Sequence, residues 1–142
     1  MAGSLDHMVL IDADADKIYE AITTSKGLAS FWTRDSKAEP KAGSIANFGF
    51  GGPKLEVKVA ELKPGKLVRW SNVSGFPGWE STTVTWEIKP AKDGGSEVWF
   101  SHAGWPAELP ASDLASVNYT WGQIVGRLKK HAETGDVVPY MP

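Results

Sequence analysis

The chain has 142 residues, an ordinary length for one domain and enough to bury one sizeable core. Hydrophobic residues make up 42% and charged residues 23%, and 15 Lys and Arg against 17 Asp and Glu leave a net charge of −2. That balance excludes a long disordered chain and gives no basic surface for nucleic-acid phosphates.

Cysteine is absent, which removes disulfides, thiolate nucleophiles and thiolate metal ligands together and fits a reducing compartment. No apolar run approaches the roughly 18 residues of a membrane span. The N-terminus also lacks the charged region and apolar stretch of a signal peptide, so the cytoplasm is the expected location. Residues 1–8, ending in His7-Met8, read with equal weight as a cloning remnant or disordered start and as native sequence. They carry no functional expectation, and a single domain is placed at 9–140.

Val9 to Ile11 predicts a short first or edge strand. Asp12, Asp14 and Asp16 follow, where carboxylates suit the free N–H groups and the positive dipole end of a helix start. Their alternation is not a calcium loop, which needs further oxygen ligands, a glycine and a distal glutamate; no metal site is expected. Ile18 and Ile22 share one helical face, Gly27 is expected to break the helix, and Leu28 to Trp32 to form a second short helical turn burying Phe31 and Trp32.

The period then changes to two. Ala46, Phe48 and Phe50 fall on one face of a strand, as do Leu55, Val57 and Val59. Val68 and Trp70, then Val84, Trp86 and Ile88, then Val98, Phe100 and His102 continue the pattern. Alternation sustained through these segments predicts a half-buried antiparallel sheet. Gly51-Gly52-Pro53, Lys63-Pro64-Gly65-Lys66 and Lys92-Asp93-Gly94-Gly95 punctuate it as turns, and Phe76-Pro77-Gly78 sits in a longer connection. The strands therefore form a meander.

After Pro110 the helical period returns. Ser112 or Asp113 is the expected cap, and Leu114, Val117, Trp121, Ile124 and Leu128 make one apolar stripe on a helix of about 20 residues, roughly 30 Å long. Gly122 and Gly126 cost about 1 kcal/mol each against alanine, so close packing or local flexibility is expected there. Lys129, Lys130 and His131 suit the negative end of the dipole, and Gly135 ends the helix. The fold class is α+β: a curved antiparallel sheet wrapped around a long C-terminal helix, with two short helices after the first strand.

This order of elements, with Ile11-Asp12-Ala13 before the first helix and Leu28-Ala29-Ser30-Phe31-Trp32 after it, resembles the SRPBCC (START/Bet v 1-like) superfamily. Ser101-His102-Ala103-Gly104-Trp105, the stretch from Tyr119 to Leu128 and Glu133-Thr134-Gly135 resemble more narrowly the branch of the Hsp90 ATPase activator's C-terminal domain. The resemblance runs from Val9 to Tyr140. It implies a helix-grip fold with a cavity under the C-terminal helix. It also implies a range of roles, among them lipid carriage, hormone reception, cyclisation and chaperone regulation, that a fold alone does not separate.

Three functions follow as expectations. A small hydrophobic or aromatic molecule would bind between sheet and helix, against Trp32, Phe48, Phe50, Val57, Trp70, Val84, Trp86, Phe100, His102, Val117, Trp121 and Ile124, with His102 or an indole N–H fixing its orientation. Alternatively the interior is a plain core and the chain regulates a chaperone or another protein through an exposed surface, with Trp99 on the outer sheet face and Trp79 or Trp105 beside it. Last comes a cavity enzyme of cyclase or hydrolase type using His102 as acid or base, for which no second group is evident. No Ser-His-Asp order, nucleophile elbow or phosphate loop is present, so no catalytic residue and no cofactor are expected. The oligomeric expectation is a monomer or weak homodimer.

Overall fold

The computed structural model describes residues 3–142. Strands β1 (Leu5–Ile11), β2 (Asp35–Lys37), β3 (Ile45–Gly49), β4 (Lys54–Lys63), β5 (Leu67–Ser74), β6 (Thr83–Pro90) and β7 (Ser96–Ala103) form one antiparallel sheet in the order β1-β7-β6-β5-β4-β3-β2. Helices α1 (Ala15–Thr23) and α2 (Ser25–Phe31) follow β1, and α3 (Ala111–Thr134) closes the chain. This is the expected helix-grip α+β architecture.

The alternation on the strands sorts the faces as read. Ala46, Phe48, Leu55, Val57, Val59, Val68, Trp70, Val84, Trp86, Ile88, Val98, Phe100 and His102 are all buried. Register shifts between Glu56 and Lys58 and between Val59 and Glu61 bend β4 against β5. The curved sheet then has a concave side, on which Trp121, Ile124, Val125, Leu128 and Ala132 of α3 are buried.

Several local expectations are corrected. β1 starts at Leu5 rather than Val9, and Leu5 to Met8 pair with His102 to Trp99 of β7. β2 was not expected; it is too short for a period to show. Gly27 does not break a helix: α1 ends at Thr23, the Thr24 hydroxyl accepts the Gly27 N–H at 3.0 Å, and Gly27 lies inside α2. A Cβ there would stand 2.5 Å from the Ala21 backbone, so glycine lets the two helices touch. Asp14 occupies the N-cap of α1, and Pro110 that of α3, without a side-chain capping bond in either case. Gly122 faces the His7 ring on β1, whereas nothing lies within 4 Å of a Cβ at Gly126.

The chain after α3 returns across α2. The N–H groups of Val138, Tyr140 and Met141 donate to the carbonyls of Ser30, Phe31 and Trp32 at 2.7, 3.2 and 2.8 Å. Arg127 donates from α3 to the carbonyls of Val138 and Pro139. This tail sets Tyr140 near the end of the concave side.

Candidate functional site

Most of the space between sheet and helix is filled. Trp32 stacks on Trp70 at 5.9 Å and 9°, meets Phe48 at 4.3 Å and Trp121 at 5.1 Å. Phe100 lies 4.4 Å from Trp121 and 4.8 Å from Trp86. Offset and edge contacts of this kind maximise buried area while keeping the electron-rich ring faces apart. Bulky rings at these inward positions close the deep part of the concavity. Among the described residues, the Trp86 indole nitrogen is buried there without a hydrogen-bond partner.

At one end of this core His102 is fully buried, with all its polar atoms in use. An indole nitrogen can only donate, so the 3.0 Å contact from Trp121 Nε1 makes His102 Nδ1 the acceptor and puts the ring proton on Nε2. Nε2 then donates to Thr82 Oγ1 at 2.9 Å, and the Thr82 hydroxyl donates to the Trp79 carbonyl at 2.6 Å. The His102 carbonyl accepts the Trp105 indole N–H at 2.9 Å. Burial pushes the imidazole pKa down to about 3, because a charge there would lose its hydration. His102 is thus a neutral structural hub, and neither ring nitrogen is left to orient or protonate a ligand.

Above this floor lies a cavity of about 200 Å³. Its lining is Trp32, Trp121 and Ile124 from the core, Ser116, Val117 and Thr120 from α3, Phe50 after β3, Phe76 and Trp79 from the β5–β6 connection, and Tyr140 from the tail. Among the described residues no Lys, Arg, Asp, Glu or His lines it; its polar side chains are those of Ser116, Thr120, Tyr140 and three tryptophans. Thr120 already donates its hydroxyl proton to the Ser116 carbonyl at 3.0 Å, which leaves its oxygen as an acceptor.

Of the residues expected to contact a ligand, Trp32, Phe50, Val117, Trp121 and Ile124 line this cavity. Phe48, Val57, Trp70, Val84, Trp86, Phe100 and His102 lie beneath it in the packed core. Sequence reasoning missed Phe76, Trp79, Ser116, Thr120 and Tyr140. Phe76 and Trp79 sit in a Gly- and Pro-rich loop and Tyr140 in the tail, where no period marks an inward face; large aromatics in such loops were the available signal.

The outer face is as expected at Trp99 but not at Trp105. Trp99 is exposed there, opposite Met8 on β1, with exposed Leu10 on the same face and Lys89 5.3 Å over the ring. Trp105 is instead buried beside His102, and Trp79 packs between Phe76 and Trp105. Among the described residues no three His, Asp or Glu side chains converge as metal ligands, and no helix is long and apolar enough to cross a membrane.

Comparison with known proteins adds the family. The family described as activator of Hsp90 ATPase homolog 1-like protein matches residues 12–133. The solution structure of the Aha1 dimer from Colwellia psychrerythraea superposes with a TM-score of 0.84 at 31% identity, covering 95% of this chain and 98% of that one. Proteins of Mesorhizobium loti (TM-score 0.77, 17% identity, 89% and 94% covered) and Staphylococcus saprophyticus (0.79, 14%, 95% and 95%) share the fold. Among curated proteins none matches the sequence.

Proposed function

Since the chain belongs to the activator of Hsp90 ATPase homolog 1-like family and has a cavity against its last helix, we propose that it binds a small neutral aromatic molecule there. One observation carries this reading: a cavity of about 200 Å³ walled by aromatic rings and lacking any charged side chain. An apolar void of about 150 Å³ accepts benzene, whereas drug-sized ligands need about 300 Å³ or more. One or two fused rings fit that interval. A carboxylate or ammonium would lose its hydration without a partner, which disfavours fatty acids and amines. The Ser116 hydroxyl suits a ligand hydroxyl or carbonyl, and Thr120 Oγ1, left as an acceptor, suits a ligand hydroxyl.

Isothermal titration of the full chain with 2-naphthol and with decanoate tests this. Saturable binding of 2-naphthol, weak response to decanoate and loss of binding in Val117→Trp, which fills the cavity from the half-buried face of α3, are expected. A folded wild-type protein that binds no neutral aromatic overturns the reading.

A second reading rests on the outer sheet face. Met8, Leu10 and Trp99 are 48%, 54% and 42% exposed on neighbouring strands, and β1 is the sheet edge. Contiguous exposed apolar groups on an edge favour a protein partner. The relative from Colwellia psychrerythraea is described as a dimer, which makes a second copy of this chain the first partner to test. Sedimentation of the wild type and of Leu10→Lys distinguishes them: a dimer that the substitution dissociates supports the surface, and a monomer at all concentrations removes the second copy.

A further inference from the structure

We infer that Trp79 sets the size of ligand this protein accepts, as a removable wall between two adjoining chambers; the inference rests on the ligand-binding reading above. The cavity of about 200 Å³ has a neighbour of about 250 Å³, bounded by Pro77, Trp105, Leu109, Asp113 and Leu114. Three residues line both: Ser116, Val117 and Trp79. Ser116 and Val117 lie on α3 and border the two chambers from the helix side. Trp79, from the loop between β5 and β6, is the shared residue on the opposite side, and it carries the bulk that divides the space.

The wall is held at its base and packed on its flanks. The Trp79 N–H donates to the Phe76 carbonyl at 3.1 Å, while its own carbonyl accepts both the N–H and the hydroxyl of Thr82, at 3.0 and 2.6 Å. The ring meets Phe76, His102 and Trp105 edge-on at 5.0, 4.7 and 5.5 Å. Its backbone is therefore fixed through the Thr82–His102 pair, and its side chain borders both chambers together with Ser116 and Val117.

The consequence is one of volume. Each chamber by itself is smaller than the roughly 300 Å³ at which drug-sized ligands begin to fit, and the two joined exceed it. With the indole in place the first chamber takes one or two rings. With a shorter side chain the space extends along the N-terminal half of α3 towards Asp113, and its joined volume suits a rigid neutral molecule of four rings. A hydrophobic pocket discriminates poorly among neutral apolar molecules, so a steric wall is the effective filter between them here.

Titration of the full-length wild type, Trp79→Ala and Trp79→Leu with 2-naphthol and with progesterone tests the inference. Wild type should bind 2-naphthol, and both variants should bind progesterone at least about tenfold more tightly than wild type does. Trp79→Leu keeps apolar packing against His102 and Trp105 should the alanine variant fail to fold. Wild type that binds 2-naphthol together with folded variants that still exclude progesterone overturns the role of Trp79 and leaves the ligand-binding reading standing. Progesterone binding equally well to wild type and variants also overturns it. Wild type that binds neither probe overturns both.

Discussion

The indole N–H of Trp121 donates to Nδ1 of His102 across 3.0 Å, and this bond between the long helix and the last strand fixes the tautomer of a fully buried imidazole. Trp121 also forms part of the cavity floor. The same side chain therefore joins the stability of the core to the shape of the candidate site.

Trp86 provides the control, because its buried indole nitrogen has no partner among the described residues. Trp121→Phe should cost more stability than Trp86→Phe, by about 1–3 kcal/mol, since only the former strands a buried acceptor. Urea midpoints of the two variants check this. Equal losses would mean that the Trp121–His102 bond contributes nothing beyond packing.

The pH dependence follows from the same imidazole. Folded His102 stays neutral down to about 3, whereas in the unfolded chain it takes a proton near 6.5. Between those values the unfolded state binds more protons. The contribution of His102 is thus complete above about 6.5 and falls as acid is added, by up to about 1.4 kcal/mol per pH unit. Thermal unfolding from pH 7 to pH 4 should show that decline, and His102→Gln should be less stable at pH 7 but flatter across the range. An equally steep decline in the variant would assign the acid sensitivity to other groups.

Two glycines should respond in opposite directions. Gly27→Ala forces a Cβ to within 2.5 Å of the Ala21 backbone and should destabilise by about 1–3 kcal/mol. Gly126→Ala, on an exposed face of α3 with open space around it, should stabilise by about 1 kcal/mol. Denaturant curves for both variants read the signs directly.

Arg127 ties the C-terminal tail to α3 through the carbonyls of Val138 and Pro139, and the tail carries Tyr140 to the cavity rim. Arg127→Ala should weaken 2-naphthol binding by about three- to tenfold, in proportion to a charge-assisted bond, with a smaller effect on global unfolding. Unchanged affinity would show that Tyr140 is held by the α2 carbonyls alone.

Much of this molecule was legible in its residues. The period of two in Leu55-Val57-Val59 and Val84-Trp86-Ile88, and the helical stripe from Leu114 to Leu128, determined which faces are buried, because burial of one face leaves a repeat in the sequence. Those patterns yielded the helix-grip order and, with the inward readings of Trp32 and Phe50, five of the residues that line the cavity. They could not say that Phe48, Trp70, Trp86 and Phe100 would interlock and fill the deep part of the concavity, because filling depends on ring orientations across strands far apart in sequence. Nor could they place Phe76, Trp79 or Tyr140, which sit on irregular backbone with no period. The tautomer and neutrality of His102 were likewise decided by partners 19 and 20 residues away. The sequence by itself determined the sheet, the helix and the apolar character of what lies between them, since those follow from local spacing. Only the tertiary structure decided how much space remains and which side chain divides it, since a volume is set by where separate segments meet.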